Sequence, residues 1–475
     1  MILLPVKEDP TVTFSLWFKV GSQDDPAGKE GLAAFTAAMI SDGSTTEDSY
    51  EVILEKLYPM ATGYGERVDK EMTVISGRTH TDNLDEFYKL LTNAILKPAF
   101  KDEDFQRQKS LFLNAIEKDL RYSSDEELGK ASLYDFVFAG TPYGHYAGGT
   151  VQSLNNITLD DIRSFYKSHY TYDKLIIGMG GAYPSKLIDQ IQKDLAQLPA
   201  KGTESADKPQ PAPINGYELL LVDKDCDATA ISFGFPVDIH RGDKDFFALS
   251  LFNSWFGEHR NSSSHLYQVI RELRGMNYGD YSYIETFLNG SRLQMPQPNN
   301  ARRQQLFEVW LRPVQHQHRH FALRAALREM KDVIDNGMSK NDFELTKKFL
   351  YKYALNYAPT TSDRLGYAID GKFYGIDAYG DYIDLFRESI AALTLEDVNN
   401  AIKRNLQYQN IKFAIVTKDA AKFAKELADD IASPVTYSTP KPQQVLDEDK
   451  IIEKYPLKFT ADKIKIIEVE DMFSK

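Results

Sequence analysis

The sequence predicts an α+β protein made of two similar halves. Three segments of the first half recur in the same order in the second, and a proline-rich stretch divides the two sets. Repetition on this scale marks duplicated structural units. A chain of 475 residues is long enough to bury two or three separate cores.

Along the chain, Met1-Ile-Leu-Leu-Pro5 reads as the end of a strand. Its abrupt start leads us to expect that an upstream segment, such as an export signal, has been removed. Residues 12–20, Val-Thr-Phe-Ser-Leu-Trp-Phe-Lys-Val, have the period-two alternation of a strand with one buried face. Gly21-Ser-Gln-Asp-Asp-Pro26 then turns the chain into a helix over residues 31–43, where Leu32, Phe35 and Met39 have amphipathic spacing. The counterpart of that strand is Thr229-Ala-Ile-Ser-Phe-Gly-Phe-Pro-Val237. It too leads through a turn to a helix ending near glycine, Gly257 where the first half has Gly43.

Lys101-Asp-Glu-Asp-Phe105 and Ser339-Lys-Asn-Asp-Phe343 each open a long helix, with the aligned Asp104 and Asp342 238 residues apart. Thr158-Leu-Asp-Asp-Ile162 and Thr394-Leu-Glu-Asp-Val398 lie 236 residues apart. Each sets a threonine N-cap before acidic first-turn residues, which satisfy free N–H groups and suit the helix dipole. They lead to the apolar strands Lys174-Leu-Ile-Ile-Gly-Met179 and Ile411-Lys-Phe-Ala-Ile-Val416. Residues 201–213 are polar, proline-rich and extended in character. A second break over residues 433–442 precedes a tail in which Ile464-Lys-Ile-Ile-Glu-Val469 reads as an edge strand. The expected division is an N-terminal domain over residues 1–200, a linker over 201–215, a C-terminal domain over 216–432 and an extended tail over 433–475.

A hydrophobic content of 42%, a charged content of 26% and 12% aromatics are those of an ordinary globular protein. The net charge of −13 argues against nucleic-acid binding and against docking to anionic lipid. No apolar stretch approaches the roughly 18–20 residues of a membrane span. The single Cys226 excludes an internal disulfide and a cysteine zinc site. A reducing cytoplasm or a bacterial periplasm suits it, and the expected upstream segment favours the periplasm.

The strand, turn and helix over residues 12–43 resemble the opening of the insulinase/pitrilysin family of zinc peptidases, which includes the mitochondrial processing peptidases. The resemblance covers roughly residues 5–430. It implies that each half is a mostly antiparallel sheet flanked by helices, the processing-peptidase-like metallohydrolase fold. In that family the helix carries His-x-x-Glu-His. Two histidines four apart on one helix face reach a single ion, and the glutamate takes the proton from zinc-bound water. Laid on this chain, the ligand positions hold Ala34 and Ala38, and the base position holds Ala37. The family's third ligand, a glutamate about 77 residues past the second histidine, falls at Ala115. Glu117 is two residues away and points elsewhere on a helix. A methyl group can neither bind zinc nor accept a proton, so all three ligands and the base are absent together.

What is retained lies in Ser263-Ser-His-Leu-Tyr-Gln-Val-Ile-Arg-Glu-Leu-Arg-Gly-Met-Asn-Tyr278. This run resembles the family's C-domain signature, with Arg271 and Tyr278 seven residues apart as that pattern requires. The resemblance implies that the two side chains reach a facing zinc site, where they bind substrate carbonyls and support the oxyanion. The plain alternative is a helix-capping arginine, a turn at Gly275 and a tyrosine that starts a strand. His265 stands where the family commonly has arginine, which puts that helix's supporting contacts in question.

Other sites are weaker. In His316-Gln-His-Arg-His320, the outer two histidines share a helix face but His318 does not, and no acidic partner is close in sequence. A solvated turn leading into a helix is expected there. Asp24, Asp25, Asp42 and the run Ser124-Asp-Glu-Glu127 read as solvated loop and cap residues. Asn289-Gly-Ser-Arg292 lacks the glycine pattern of a phosphate loop, and no nucleophile elbow is present.

The expectation is a non-catalytic, substrate-binding subunit of a two-chain zinc metallopeptidase. A homologous partner supplies the zinc motif and the metal, and this chain supplies Arg271 and Tyr278. Alone it holds no cofactor, is inactive, binds unfolded or short peptides, and is able to form a homodimer. The alternative is a structural or binding protein of the same fold without a role in proteolysis.

Overall fold

The computed structural model describes residues 1–287 and 295–475. The Asn289–Arg292 turn lies outside these described residues. The first sheet contains β1 (Ile2–Pro5), β2 (Thr11–Phe18), β3 (Tyr64–Val68), β4 (Thr73–His80) and β5 (Leu175–Gly181), in the order β1-β5-β2-β4-β3. The second contains β6 (Tyr217–Asp223), β7 (Thr229–Val237), β8 (Asn277–Tyr283), β9 (Gln305–Val314), β10 (Ile411–Thr417) and β11 (Ile464–Glu468), in the order β11-β6-β10-β7-β9-β8. Without β11 the two orders are the same, and this is the duplication that the repeats predict. Among the described residues, only β1–β5, β6–β10 and β6–β11 are parallel pairs. Both sheets are therefore mostly antiparallel, as expected.

The repeated capping signals do the same work in each half. Thr158 and Thr394 accept from the amides of Asp161 and Asp397, which close reciprocal capping boxes on Leu159–His169 and Leu395–Asn405. One face of each sheet packs on helices of its own half. Phe14 and Phe18 meet Phe35, Phe87 and Leu91 in the first core, and Phe233, Leu311 and Phe413 meet Phe252 and Leu323 in the second.

The opposite faces are covered reciprocally. The helix Asp125–Phe138 packs on β7 and β10, and the helix Thr361–Phe373 packs on β1, β2 and β5. The glycines of β5 permit this approach. A Cβ at Gly178 would lie 2.9 Å from Ile369 Cδ1, and one at Gly180 would lie 2.7 Å from Thr361 Cγ2. Trp17 and Val74 on the first sheet, with Met72 from the turn before β4, close over Leu365 and Ile369.

Ion pairs join the halves. In the buried pair Arg302 Nε donates to Asp69 at 2.7 Å, and the half-buried pairs are Arg303 with Glu71 and Arg312 with Glu126. The tail is not simply extended, contrary to expectation. It forms the helix Gln443–Ile452, which buries Val445 and Ile452 and whose Asp449 pairs with the buried Arg274. It then adds β11 at the edge of the second sheet and ends on the first half. There Arg121 donates to the Met472 carbonyl, and Phe473 packs on Tyr146.

Candidate functional site

The helix Leu32–Ser41 starts at Gly31, whose φ of 93° suits glycine alone. Its free amides are met by Asp25, which accepts from Gly31 N at 2.8 Å and Ala33 N at 2.7 Å. His145 Nε2 lies 3.1 Å from the same carboxyl. Asp25 is thus a cap, but its carboxyl is buried and not solvated as expected, and burial raises its pKa against the pull of His145. Asp42 is also not simply solvated, since burial and the nearby Glu66 push it up to about 6. Phe35 stacks on Phe105 and Phe112 with centroids 4.9 and 5.3 Å away, which fixes this helix against Asp102–Asn114.

Ala115 opens a nine-residue π-helical stretch, Ala115–Ser123, at the end of that second helix. π-Helical turns often sit at functional sites. Ala34 and Ala115 line one cavity of about 570 Å³, so two of the alanines at the expected ligand positions face a common space. Ala37 is fully buried and Ala38 is 2% exposed, and neither lines it. Glu117 does not line it either. Four alanines offer no lone pair, so the residues at these positions do not fit a zinc ion. Among the described residues no group of three or more His, Cys, Asp or Glu side chains is placed to hold a metal.

The deep wall of the cavity comes from elements that the sequence did not single out. Tyr134 and Lys130 project from Asp125–Phe138, Arg302 precedes β9, and Glu308 and Trp310 lie on β9. Burial pushes the Glu308 carboxyl up to about 8, against the pull of Lys130 and of the Trp310 indole. Lys130 sits 4.1 Å above the Trp310 ring and pairs with Glu127, so Glu127 is a cavity residue and not merely a cap. Burial also lowers Lys70 to about 8. A glutamate inside the apolar run of β9 was the one signal available.

Arg271 and Tyr278 do not line this cavity. Arg271 belongs to a second π-helical stretch, Tyr267–Glu272, and Tyr278 lies on β8, the outer strand of the second sheet. The guanidinium sits 4.7 Å from the ring centroids of both Tyr267 and Tyr278 and donates to the Tyr278 carbonyl. The Tyr278 side chain stands out from the surface, the residue being 61% exposed. His265 does support its helix, since Nε2 lies 2.7 Å from Glu329 Oε2 and the ring stacks on Trp255.

The histidine cluster diverges. His316 is held by Thr229 Oγ1 and the Cys226 carbonyl, both at 2.8 Å. His318 ends a short 3₁₀ turn, and the helix Arg319–Asn336 follows. His320 is buried against Phe423 and not solvated as expected, and burial lowers its pKa to about 3.

Two family descriptions match the sequence: "Insulinase (Peptidase family M16)" over residues 1–141 and "Peptidase M16 inactive domain" over residues 156–350. The chain belongs to the insulinase (M16) family, as a member whose residues 34–38 carry neither zinc ligand nor general base. A probable mitochondrial-processing peptidase subunit beta of Arabidopsis thaliana is 22% identical over 228 residues, 47% of this chain and 42% of that protein. An uncharacterized zinc protease of Rickettsia bellii is 24% identical over 279 residues, 59% of this chain and 66% of that protein. The chain thus spans less than two thirds of the length of either relative. The peptidase M16 inactive domain from Pseudomonas fluorescens has the same fold, with a TM-score of 0.76 at 21% identity over 88% of this chain and 94% of that one. So has a protease from Helicobacter pylori, with a TM-score of 0.74 at 15% identity over 87% of this chain and 96% of that one. No helix among the described residues is long and apolar enough to cross a membrane.

Proposed function

We propose that this chain is the non-catalytic, substrate-binding subunit of a two-chain zinc metallopeptidase. A homologous subunit carries the His-x-x-Glu-His helix and the zinc, and this chain presents Arg271 and Tyr278 to that centre. The observation that carries the reading is the placement of the pair. It is preorganised by stacking, with Tyr278 on an outer strand and Arg271 on the π-helical stretch before it, and is separate from the cavity that Ala34 and Ala115 line. A guanidinium and a phenol held in this way donate hydrogen bonds to a peptide carbonyl and to the oxyanion that forms from it.

Co-expression with a zinc-motif homologue tests the assignment. The pair should cleave unfolded peptide, and Arg271→Ala should lower kcat by about 10²–10³, the usual cost of losing one oxyanion donor. Cleavage unchanged by Arg271→Ala removes the role. The second reading, a structural or binding protein without proteolysis, draws on the hydrogen bond from Arg271 to the Tyr278 carbonyl, a purely local use of the arginine.

A further inference from the structure

Four buried polar atoms close no hydrogen bond of good geometry among the described residues and belong to residues lining the same cavity: the Tyr134 hydroxyl, which Thr286 approaches, Arg302 Nη1, Glu308 Oε2 and Trp310 Nε1. Arg302, Glu308 and Trp310 are each at most 3% exposed. The Trp310 N–H lies near enough to Glu308 to favour the ionised carboxylate, without closing a bond of good geometry. Folded proteins leave few buried polar groups unpaired, because each unmade bond is costly. Four on one wall of a cavity of about 570 Å³ call for an occupant.

The character of the wall defines that occupant. Asp69 holds Arg302 from behind through Nε and Nη2, so Nη1 is left for another acceptor. Trp310 Nε1 can only donate, and the Tyr134 hydroxyl can donate. Burial raises the Glu308 carboxyl to about 8, which favours the protonated form, and in that form it adds an O–H. Lys70, which also lines the cavity, donates to the His145 carbonyl and has no ion pair among the described residues. The wall therefore asks for a concentrated acceptor. Phe112, Leu120, Tyr146 and Phe287 offer apolar surface to the rest of a ligand, and Glu66 and Asp119 disfavour a second negative charge.

We propose that the cavity binds the carboxylate of a monocarboxylic acid with an apolar or aromatic body, its oxygens received by Arg302, Trp310, Tyr134 and Glu308. The carboxylate can come from a free organic acid or from the C-terminus of a peptide. The cavity that Ala34 and Ala115 line is in this view a binding site in its own right. The inference uses no partner chain, so it stands or falls separately from the role of Arg271.

Isothermal titration of the full chain tests it with two acids, 3-phenylpropionate and the tripeptide Ala-Ala-Phe, each against its amide. Both carboxylate and amide have the same apolar body, so the comparison isolates the charged oxygens. Saturable binding of an acid, with its amide weaker by about tenfold or more, upholds the proposal. Tighter binding of the tripeptide assigns the source to peptide C-termini, and tighter binding of 3-phenylpropionate to free acids. Tyr134→Phe keeps the ring and removes one donor, and it should weaken acid binding severalfold to tenfold without moving the thermal midpoint. Trp310→Phe removes the indole N–H together with part of a buried ring, and it should weaken acid binding at least as much while lowering that midpoint. Equal affinity for acid and amide, no saturable binding of either acid, or unchanged affinity in both variants overturns it.

Discussion

The helices Leu32–Ser41 and Lys244–Gly257 occupy corresponding places in the two halves, yet the spaces beside them differ. In the second half Tyr357, Tyr367, Tyr382 and Phe386 close on Phe246 of Lys244–Gly257, leaving a cavity of only about 70 Å³. In the first half, Ala34 and Ala115 face one of about 570 Å³. Interiors pack close to crystal density by default, and the second half follows that rule. In the first half, the methyl groups of Ala34 and Ala115 face a space that the walls do not close. The shell, not the ligands, holds that space open.

The largest test of the shell is to break it. Arg302→Ala strands the buried Asp69 carboxylate between the halves and should cost about 3–5 kcal/mol in denaturant unfolding. Arg274→Ala should cost a similar amount in the second half, because its side chain is fully buried on Glu448 and Asp449. If Arg302→Ala is nearly neutral while Arg274→Ala is not, the first-half cavity is not supported in the way described.

A smaller effect comes from refilling the centre. A34H/A37E/A38H/A115E should bind zinc more tightly than A34H/A37E/A38H. Residues 37 and 38 are buried, so both variants should lose about 1–3 kcal/mol to overpacking. Elemental analysis after dialysis reads the metal, and equal zinc in the two variants would mean that Ala115 is not the third-ligand position. Activity should lag behind metal binding, since drifted supporting contacts cost roughly 10–100-fold.

Smaller again is a pH effect in the second half. Burial pushes Glu258 up to about 7 from an ordinary 4.5, against hydrogen bonds from Asn261 and Ser254. Between those values the folded state holds a proton that the unfolded chain has released. This carboxyl therefore makes stability fall as pH rises through that window. Glu258→Gln should flatten the fall, read from urea midpoints at about pH 5 and 8. At the low end, Tyr278→Phe should change stability by less than about 0.5 kcal/mol, because the ring is largely in solvent.

Much of the fold was legible because its signals are local. Thr158 and Thr394 announce equivalent helices, and residues 229–237 form the strand that their alternation predicts. The tail was less legible, because the helix Gln443–Ile452 is held by Arg274, an ion-pair partner about 175 residues earlier. Of the candidate site, the sequence carried the absence of ligands but not the wall that stands behind them. Tyr134, Arg302 and Trp310 converge only through the crossing of Asp125–Phe138 over the second sheet, and no spacing in the sequence encodes that crossing. Solvation of Asp25 and His320 was misjudged for the same reason, since burial depends on what arrives from elsewhere in the chain.

The reciprocal covering of the sheets also bears on synthesis at the ribosome. The first sheet is complete once Leu175–Gly181 has emerged, but the helix that covers Trp17 and Val74 begins only at Thr361. At ordinary elongation rates of about 5–20 residues per second, that apolar face waits roughly 10–40 s for its cover. During this interval the nascent chain offers a broad greasy sheet to whatever is nearby. A holding chaperone is the natural companion for a protein built in this order, and a stall between residues 181 and 361 should be its most aggregation-prone moment.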